Sequence, residues 1–260
     1  MRRPVTLTVL ALLLAGCSSS APAPAAGTSA DRLGGSITVL AAASLRTTFT
    51  AIGEQLERQN PGVRVAFSFG PSSGLATQIV QGAPADVFAS ASSRTMQTVT
   101  EAGAATAPRV FATNRLAIAV PPDNPGGVTR LADLARSDVT VAVCQQQVPC
   151  GVVAREVLTR SGTVVRPVTE EADVGAVLTK VRLGEVDAGL VYVTDVRAAG
   201  DAVRGIAVPD DVNATTDYPI AVLTGAGADA AAATTAQAFV DQVLAAKGQA
   251  VLAEAGFGSP

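Results

Sequence analysis

Three features of the sequence predict an α/β fold built as two lobes. Short apolar, β-branched runs alternate with segments of helical periodicity in the order strand, turn, helix. The turns are rich in Ser, Gly and Pro, so polar residues stand where a strand hands over to a helix. The alternation restarts after Pro121-Pro122-Asp123-Asn124-Pro125, a cluster that breaks whatever precedes it and marks the passage to a second lobe. This rhythm implies right-handed βαβ units, hence mostly parallel sheets with helices on both faces.

Residues 1–17 stand apart from that fold. Arg2 and Arg3 precede an apolar stretch from Val5 to Ala15. The stretch is too short to span a bilayer, so the segment reads as an export signal. It ends in Leu14-Ala15-Gly16-Cys17, which resembles the bacterial lipoprotein cleavage box, with Cys17 the lipidated residue. The plainer alternative is an ordinary signal peptide in which Cys17 has no role. Residues 18–34 are dominated by Ser, Ala, Pro and Gly and have little to bury, which predicts a flexible linker and favours the tethered reading.

The folded region opens with SITVLAAASLRTT at 36–48. Ile37–Leu40 is an apolar run suited to a buried parallel strand. Leu45, Phe49, Ile52 and Leu56 recur at helical spacing, so Ser44 is expected at the N-cap between strand and helix. A serine there, beside the free N–H groups of a first turn, is an anion site in prospect; by itself it is more simply a cap. The construction recurs. VRVAFSF at 63–69 alternates as a half-buried strand does, GPSSG follows at 70–74, and a helix is expected over 75–81 with Ser72 or Ser73 at its start. A short strand is expected at 85–89 and a helix from 93 to 102.

Beyond these lies Leu116–Val120, another buried strand. After the proline cluster the sequence predicts a short helix at 131–134, strands at 139–143, 164–168 and 188–193, and helices at 151–160 and 173–183. A late strand is expected at 219–223, and one long alanine-rich helix over Ala228–Ala246 that returns to the first lobe.

Composition narrows the function. The 260 residues contain no histidine, which removes Ser-His-Asp and Cys-His nucleophilic systems, His-based zinc sites and the commonest general base. The formal charge of −3 becomes more negative once Arg2 and Arg3 leave with the signal, so clustered positive charge for nucleic acid is lacking. Few aromatic residues are present, in keeping with a ligand that is not read by stacking. Cys144 and Cys150 bracket Gln-Gln-Gln-Val-Pro in an exported chain, where a disulfide is the expected state. A redox pair is the competing reading, disfavoured by the spacing and by the lack of an activating histidine.

AAASL at 41–45, FGPSSGLATQI at 69–79, GAPADVF at 82–88, VPCG at 148–151, ADV at 172–174, GLVYVTDV at 189–196, YPIAVL at 218–223 and AGFG at 255–258 occur in this order. Together they resemble the periplasmic molybdate-binding proteins of bacterial ABC importers. The resemblance implies two lobes joined by two crossing segments, residues 35–115 with 218–260 and residues 116–217, and a ligand cleft between them. It implies that molybdate or tungstate is held as the oxyanion, without direct protein–metal bonds. Ser44 and Ser72 would contribute hydroxyls, Cys150 and Val174 backbone N–H groups, and Tyr192 its hydroxyl. It further implies a monomeric receptor, anchored by lipid to the outer face of the cell membrane, that serves an ABC permease and ATPase and has no cofactor. The sequence departs from the family at Cys150, where alanine is common, at Gly175, where arginine is usual, and at Ser92, which replaces a common Asp. A receptor for sulfate or another small tetrahedral oxyanion is the alternative. An enzyme using Asp86, Asp173 or Lys180 is a third reading, weakened by the missing histidine and by the lack of a paired-carboxylate motif.

Overall fold

The structure, a computed structural model, describes residues 33–225 and 230–260. The expected export signal, Cys17 and residues 18–32 of the linker lie outside the described residues, as do residues 228–229 of the expected late helix.

Strand β1 (Gly35–Ala42) carries the apolar run seen in the sequence and lies between two parallel partners, β2 (Val63–Gly70) and β3 (Val87–Ala89). Successive side chains of a strand leave opposite faces, and β1 uses both. Ile37, Val39 and Ala41 join Phe49, Ile52 and Leu56 of α1 (Arg46–Gln59), together with Phe239 and Val243 of α7 (Ala230–Leu244). Leu40 points the other way, onto Leu75 and Ile79 of α2 (Ser72–Val80) and Met96 and Val99 of α3 (Ser93–Glu101). Helices therefore cover both faces, as the rhythm of the sequence required.

A second parallel group follows, with β5 (Val141–Cys144) between β6 (Thr169–Glu171) and β7 (Ala188–Tyr192). Its core is separate: Ile118, Val141, Leu190 and Val191 of the strands pack with Val157 of α4 (Pro149–Ser161) and Val177 and Val181 of α5 (Val174–Arg182). Joining the two groups are the long strand β4 (Arg109–Val120) and β9 (Thr215–Val222), which are antiparallel. Arg109–Arg115 of β4 pair with β9, whereas Leu116–Ala119 pair with β7 and Ala117–Val120 with β8 (Arg204–Ala207). The full order is β2-β1-β3-β9-β4-β7-β5-β6, with β8 on β4. The sheet is thus parallel in its outer parts and antiparallel through the middle, where the chain crosses.

Several expectations need correction. Ser44 does not cap a helix. It lies in a 3-10 turn, Ala43–Leu45, and α1 starts at Arg46 without a side-chain cap. Residues 164–168 are not a strand: Val164 and Val168 are 72% and 60% exposed, and pairing with β5 falls on Thr169–Glu171. The strand expected at 116–120 starts at Arg109. The long final helix is two, α7 and α8 (Ala246–Glu254), separated at Ala245 where ψ turns to 160°. Ser92, by contrast, does cap α3, its side chain accepting from the Thr95 N–H.

Candidate functional site

The residues singled out in the sequence come from five separate places in the chain, and the fold brings them around one cavity. Ser44 sits where β1 gives way to α1. Ser72 is the first residue of α2, behind Pro71. Cys150 follows Pro149 in the first turn of α4, and Val174 opens α5. Tyr192 ends β7. All five line the same cavity, together with Gly70, Ala91, Val148 and Asp173 among others. Its volume is about 20 Å3, a little more than one ordered water needs. It suits a single compact ion rather than an extended ligand.

Helix starts supply most of the polarity. The first N–H groups of an α-helix have no intrahelical partner, and the helix dipole places partial positive charge there. At α2 and α4 no side chain caps the helix. At α5 Asp173 does, its Oδ1 accepting from Ala176 N–H at 2.9 Å; the Val174 and Gly175 amides of that first turn lie outside this bond. The start of α4 is held by the Cys144–Cys150 disulfide, which closes the loop after β5 with Cα atoms 5.7 Å apart. Gly151 belongs to the same constraint: a Cβ there would lie 1.9 Å from the Gln145 carbonyl oxygen. The backbone approaches itself too closely for any other residue.

The side chains are arranged to donate. Ser72 is buried and its Oγ accepts from Ala91 N–H at 3.1 Å, which leaves its own proton for the cavity. Ser44 Oγ lies 2.8 Å from the Tyr218 hydroxyl. The Tyr192 hydroxyl is fully buried and has no hydrogen-bond partner. Burial pushes the Tyr192 and Tyr218 hydroxyls well above their ordinary range, so both stay protonated. Beneath Tyr192, buried Asp195 accepts from the Tyr192 N–H at 2.9 Å. Burial pushes its carboxyl up to about 7, and the charge of Asp173 adds to the rise.

The groups of the enzyme reading do not assemble. Asp86 receives the Thr38 N–H at 2.6 Å, in the turn before β3. Lys180 is paired with Glu185 at 2.5 Å on an exposed face of α5, and Asp173 is a cap. No metal-binding group of His, Cys, Asp or Glu occurs among the described residues, and none of their helices is long and apolar enough to cross a membrane. Sequence reasoning missed Tyr218, Asn114 and Ala91. Tyr218 was visible only as the first residue of YPIAVL, one position before the expected strand at 219–223, although a tyrosine beside an apolar run needs a partner for its hydroxyl.

A donor-lined cavity between two α/β groups, with strands crossing between them, is the architecture of a solute receptor. The chain matches, over residues 37–258, the family described as bacterial extracellular solute-binding protein, and it belongs to that family. Within it, the chain is similar to the molybdate-binding protein ModA of Mycobacterium tuberculosis, 44% identical over 97% of this chain and 96% of that one. ModA of Escherichia coli is 33% identical over 74% of this chain and 78% of its own. Among solved structures, the periplasmic molybdate-binding protein of Azotobacter vinelandii superposes with a TM-score of 0.75 at 22% identity, covering 86% of this chain and 99% of that one. The sulfate-binding protein SubI of M. tuberculosis has the same TM-score at 19% identity, covering 85% and 86%. At such identities these two share the fold.

Proposed function

We propose that this protein captures molybdate or tungstate outside the cytoplasm and delivers it to an ABC importer. The observation that carries the reading is the Tyr192 hydroxyl: buried, protonated and unpartnered in a cavity otherwise furnished with N–H and O–H donors. Leaving such a group unsatisfied costs about 1–3 kcal/mol, and an anion removes that cost. Ser44 and Ser72 give hydroxyls, Cys150 and Val174 backbone N–H groups, and Tyr192 the fifth donor. Hydrogen bonds to a charged acceptor contribute about 1.5–3 kcal/mol each. That is sufficient in an acidic protein with no general attraction for anions. A fully deprotonated dianion satisfies every donor. Hydrogen phosphate brings a proton, and the one carboxylate on the cavity wall, Asp173, is engaged through Oδ1 in capping α5, so that ligand is disfavoured.

In this reading residues 35–115 with 218–260 form one lobe and 116–217 the other, and the oxyanion bridges them. Cys17, lipidated after removal of the signal, tethers a monomeric receptor to the outer face of the membrane, where it meets the permease and ATPase. The protein performs no catalysis. The arginine usual in the family at the place of Gly175 is not needed for the donor set. A Cβ there would crowd Asp173 Oδ1 at 3.2 Å, the oxygen that caps α5, and would touch Ala43 only at ordinary van der Waals distance.

Calorimetric titration of the purified protein with molybdate, tungstate and sulfate tests the proposal. One ion is expected per chain, with molybdate and tungstate bound more tightly than sulfate. Sulfate binding equal to molybdate would shift the assignment to a general tetrahedral-oxyanion receptor, and no binding of any of the three would defeat it.

A further inference from the structure

Asn114, on the crossing strand β4, has its side-chain amide fixed at both ends. Its Oδ1 accepts from the Arg115 N–H at 3.0 Å, so Nδ2 must face the other way. Nδ2 has two protons: one goes to Thr194 Oγ1 at 2.8 Å and the other to the Tyr218 hydroxyl oxygen at 3.4 Å. Tyr218, on the second crossing strand, is therefore an acceptor from Asn114. Its hydroxyl also faces Ser44 Oγ, 2.8 Å away, while the neighbouring Tyr192 hydroxyl, which it feels electrostatically, is not within hydrogen-bond geometry. A phenol has one proton. Ser44 Oγ is the one acceptor in hydrogen-bond geometry for that proton, so the proton goes there, and the Ser44 proton is left to point elsewhere, into the cavity.

We propose that Tyr218 and Asn114 are positioning residues that fix the polarity of Ser44, converting a hydroxyl able to donate or accept into an obligate donor and so tuning the site to fully deprotonated oxyanions. The proposal rests on the reading of Ser44 as an anion ligand. The chain of donors runs Asn114 to Tyr218 to Ser44 to ligand. Successive hydrogen bonds of one direction polarise each other, so the last donor is also strengthened. The ring of Tyr218 is locked edge-on against Phe111, Tyr192 and Phe257, with centroids 6.2, 6.2 and 5.2 Å away, so the hydroxyl cannot swing off Ser44. Without Tyr218's hydroxyl, Ser44 could turn its lone pair to the cavity and accept the proton of hydrogen phosphate.

A double-mutant cycle of Tyr218→Phe and Ser44→Ala, read by calorimetry with molybdate, tests this. Tyr218→Phe keeps the ring and should weaken molybdate binding roughly threefold to tenfold. In the Ser44→Ala background it should change affinity by less than twofold, because no hydroxyl remains to orient. Hydrogen phosphate, used as competitor at about pH 8, should displace molybdate more readily from Tyr218→Phe than from the parent. Asn114→Leu, which retains the Tyr218 hydroxyl, should move selectivity the same way, and circular dichroism of each unliganded variant checks folding. Losses that add in the double variant, or an unchanged preference for molybdate over hydrogen phosphate, would overturn the relay while leaving the binding site standing. A Ser44→Ala variant that binds like the parent would instead remove Ser44 from the site, and the relay with it.

Discussion

Asp195 gives the clearest test of the electrostatics beneath the site. Its carboxyl is buried against the end of β7 and held by the Tyr192 N–H, and burial raises it from an ordinary 3.8 to about 7. Below about pH 4 the group is protonated in both the folded and unfolded chain and costs nothing. Between about pH 4 and 7 the unfolded chain releases the proton and the folded one keeps it, so stability falls as the pH rises. Above 7 both states are ionised and the penalty is constant. At 1.36 kcal/mol per pH unit the full penalty is on the order of 4 kcal/mol. Asp195→Asn retains an oxygen to accept from Tyr192 N–H and has no charge to bury. Urea unfolding of parent and variant at several pH values should give equal stabilities near pH 4, with the variant ahead by up to that amount near pH 8. A difference that does not change with pH, or a variant less stable at pH 8, would refute the buried, proton-linked carboxyl.

Three further outcomes are expected. Ser72→Ala should weaken molybdate binding roughly tenfold to a hundredfold by calorimetry, and should also lower urea stability by about 1–3 kcal/mol, since the Ala91 N–H loses its acceptor. The double change Cys144→Ala with Cys150→Ala should cost about 2 kcal/mol of stability and leave affinity within a few-fold, if only the Cys150 amide serves the ligand; Cys150→Pro, which removes that amide, should weaken binding far more in the same titration. Gly151→Ala should destabilise by about 3 kcal/mol in urea unfolding, because its Cβ meets backbone and cannot be accommodated by side-chain movement.

What could be read from the sequence was whatever local pattern dictates. The apolar run of β1 and the helical spacing of Leu45, Phe49, Ile52 and Leu56 identified β1 and α1, because burial enforces those periods. Pairing and polarity at the crossing could not be read in that way. Arg109, Asn114 and Arg115 interrupt the apolar pattern of β4, yet they are strand residues because β9 pairs with them. Val164 and Val168 look like strand residues and stand in solvent, while polar Thr169–Glu171 pair, since register at a sheet edge follows the neighbouring strand rather than hydropathy. The break between α7 and α8 is marked in the sequence only by Gly248, where a Cβ would lie 2.2 Å from the Gln242 carbonyl oxygen, a close approach that no local pattern reveals. Ser44 was recognisable as the residue between strand and helix, but its partner lies 174 residues away, a distance no local pattern spans.

Tyr192 and Tyr218 are the two tyrosines of the whole chain, and there is no tryptophan. Their rings lie 6.2 Å apart, edge to face, one lining the cavity and the other hydrogen-bonded to Ser44. Excited at wavelengths beyond the absorption of its seven phenylalanines, the protein therefore emits entirely from beside its cavity. Occupancy can be followed by that tyrosine emission in the unlabelled native chain, and a change in it has only two residues to which it can be traced.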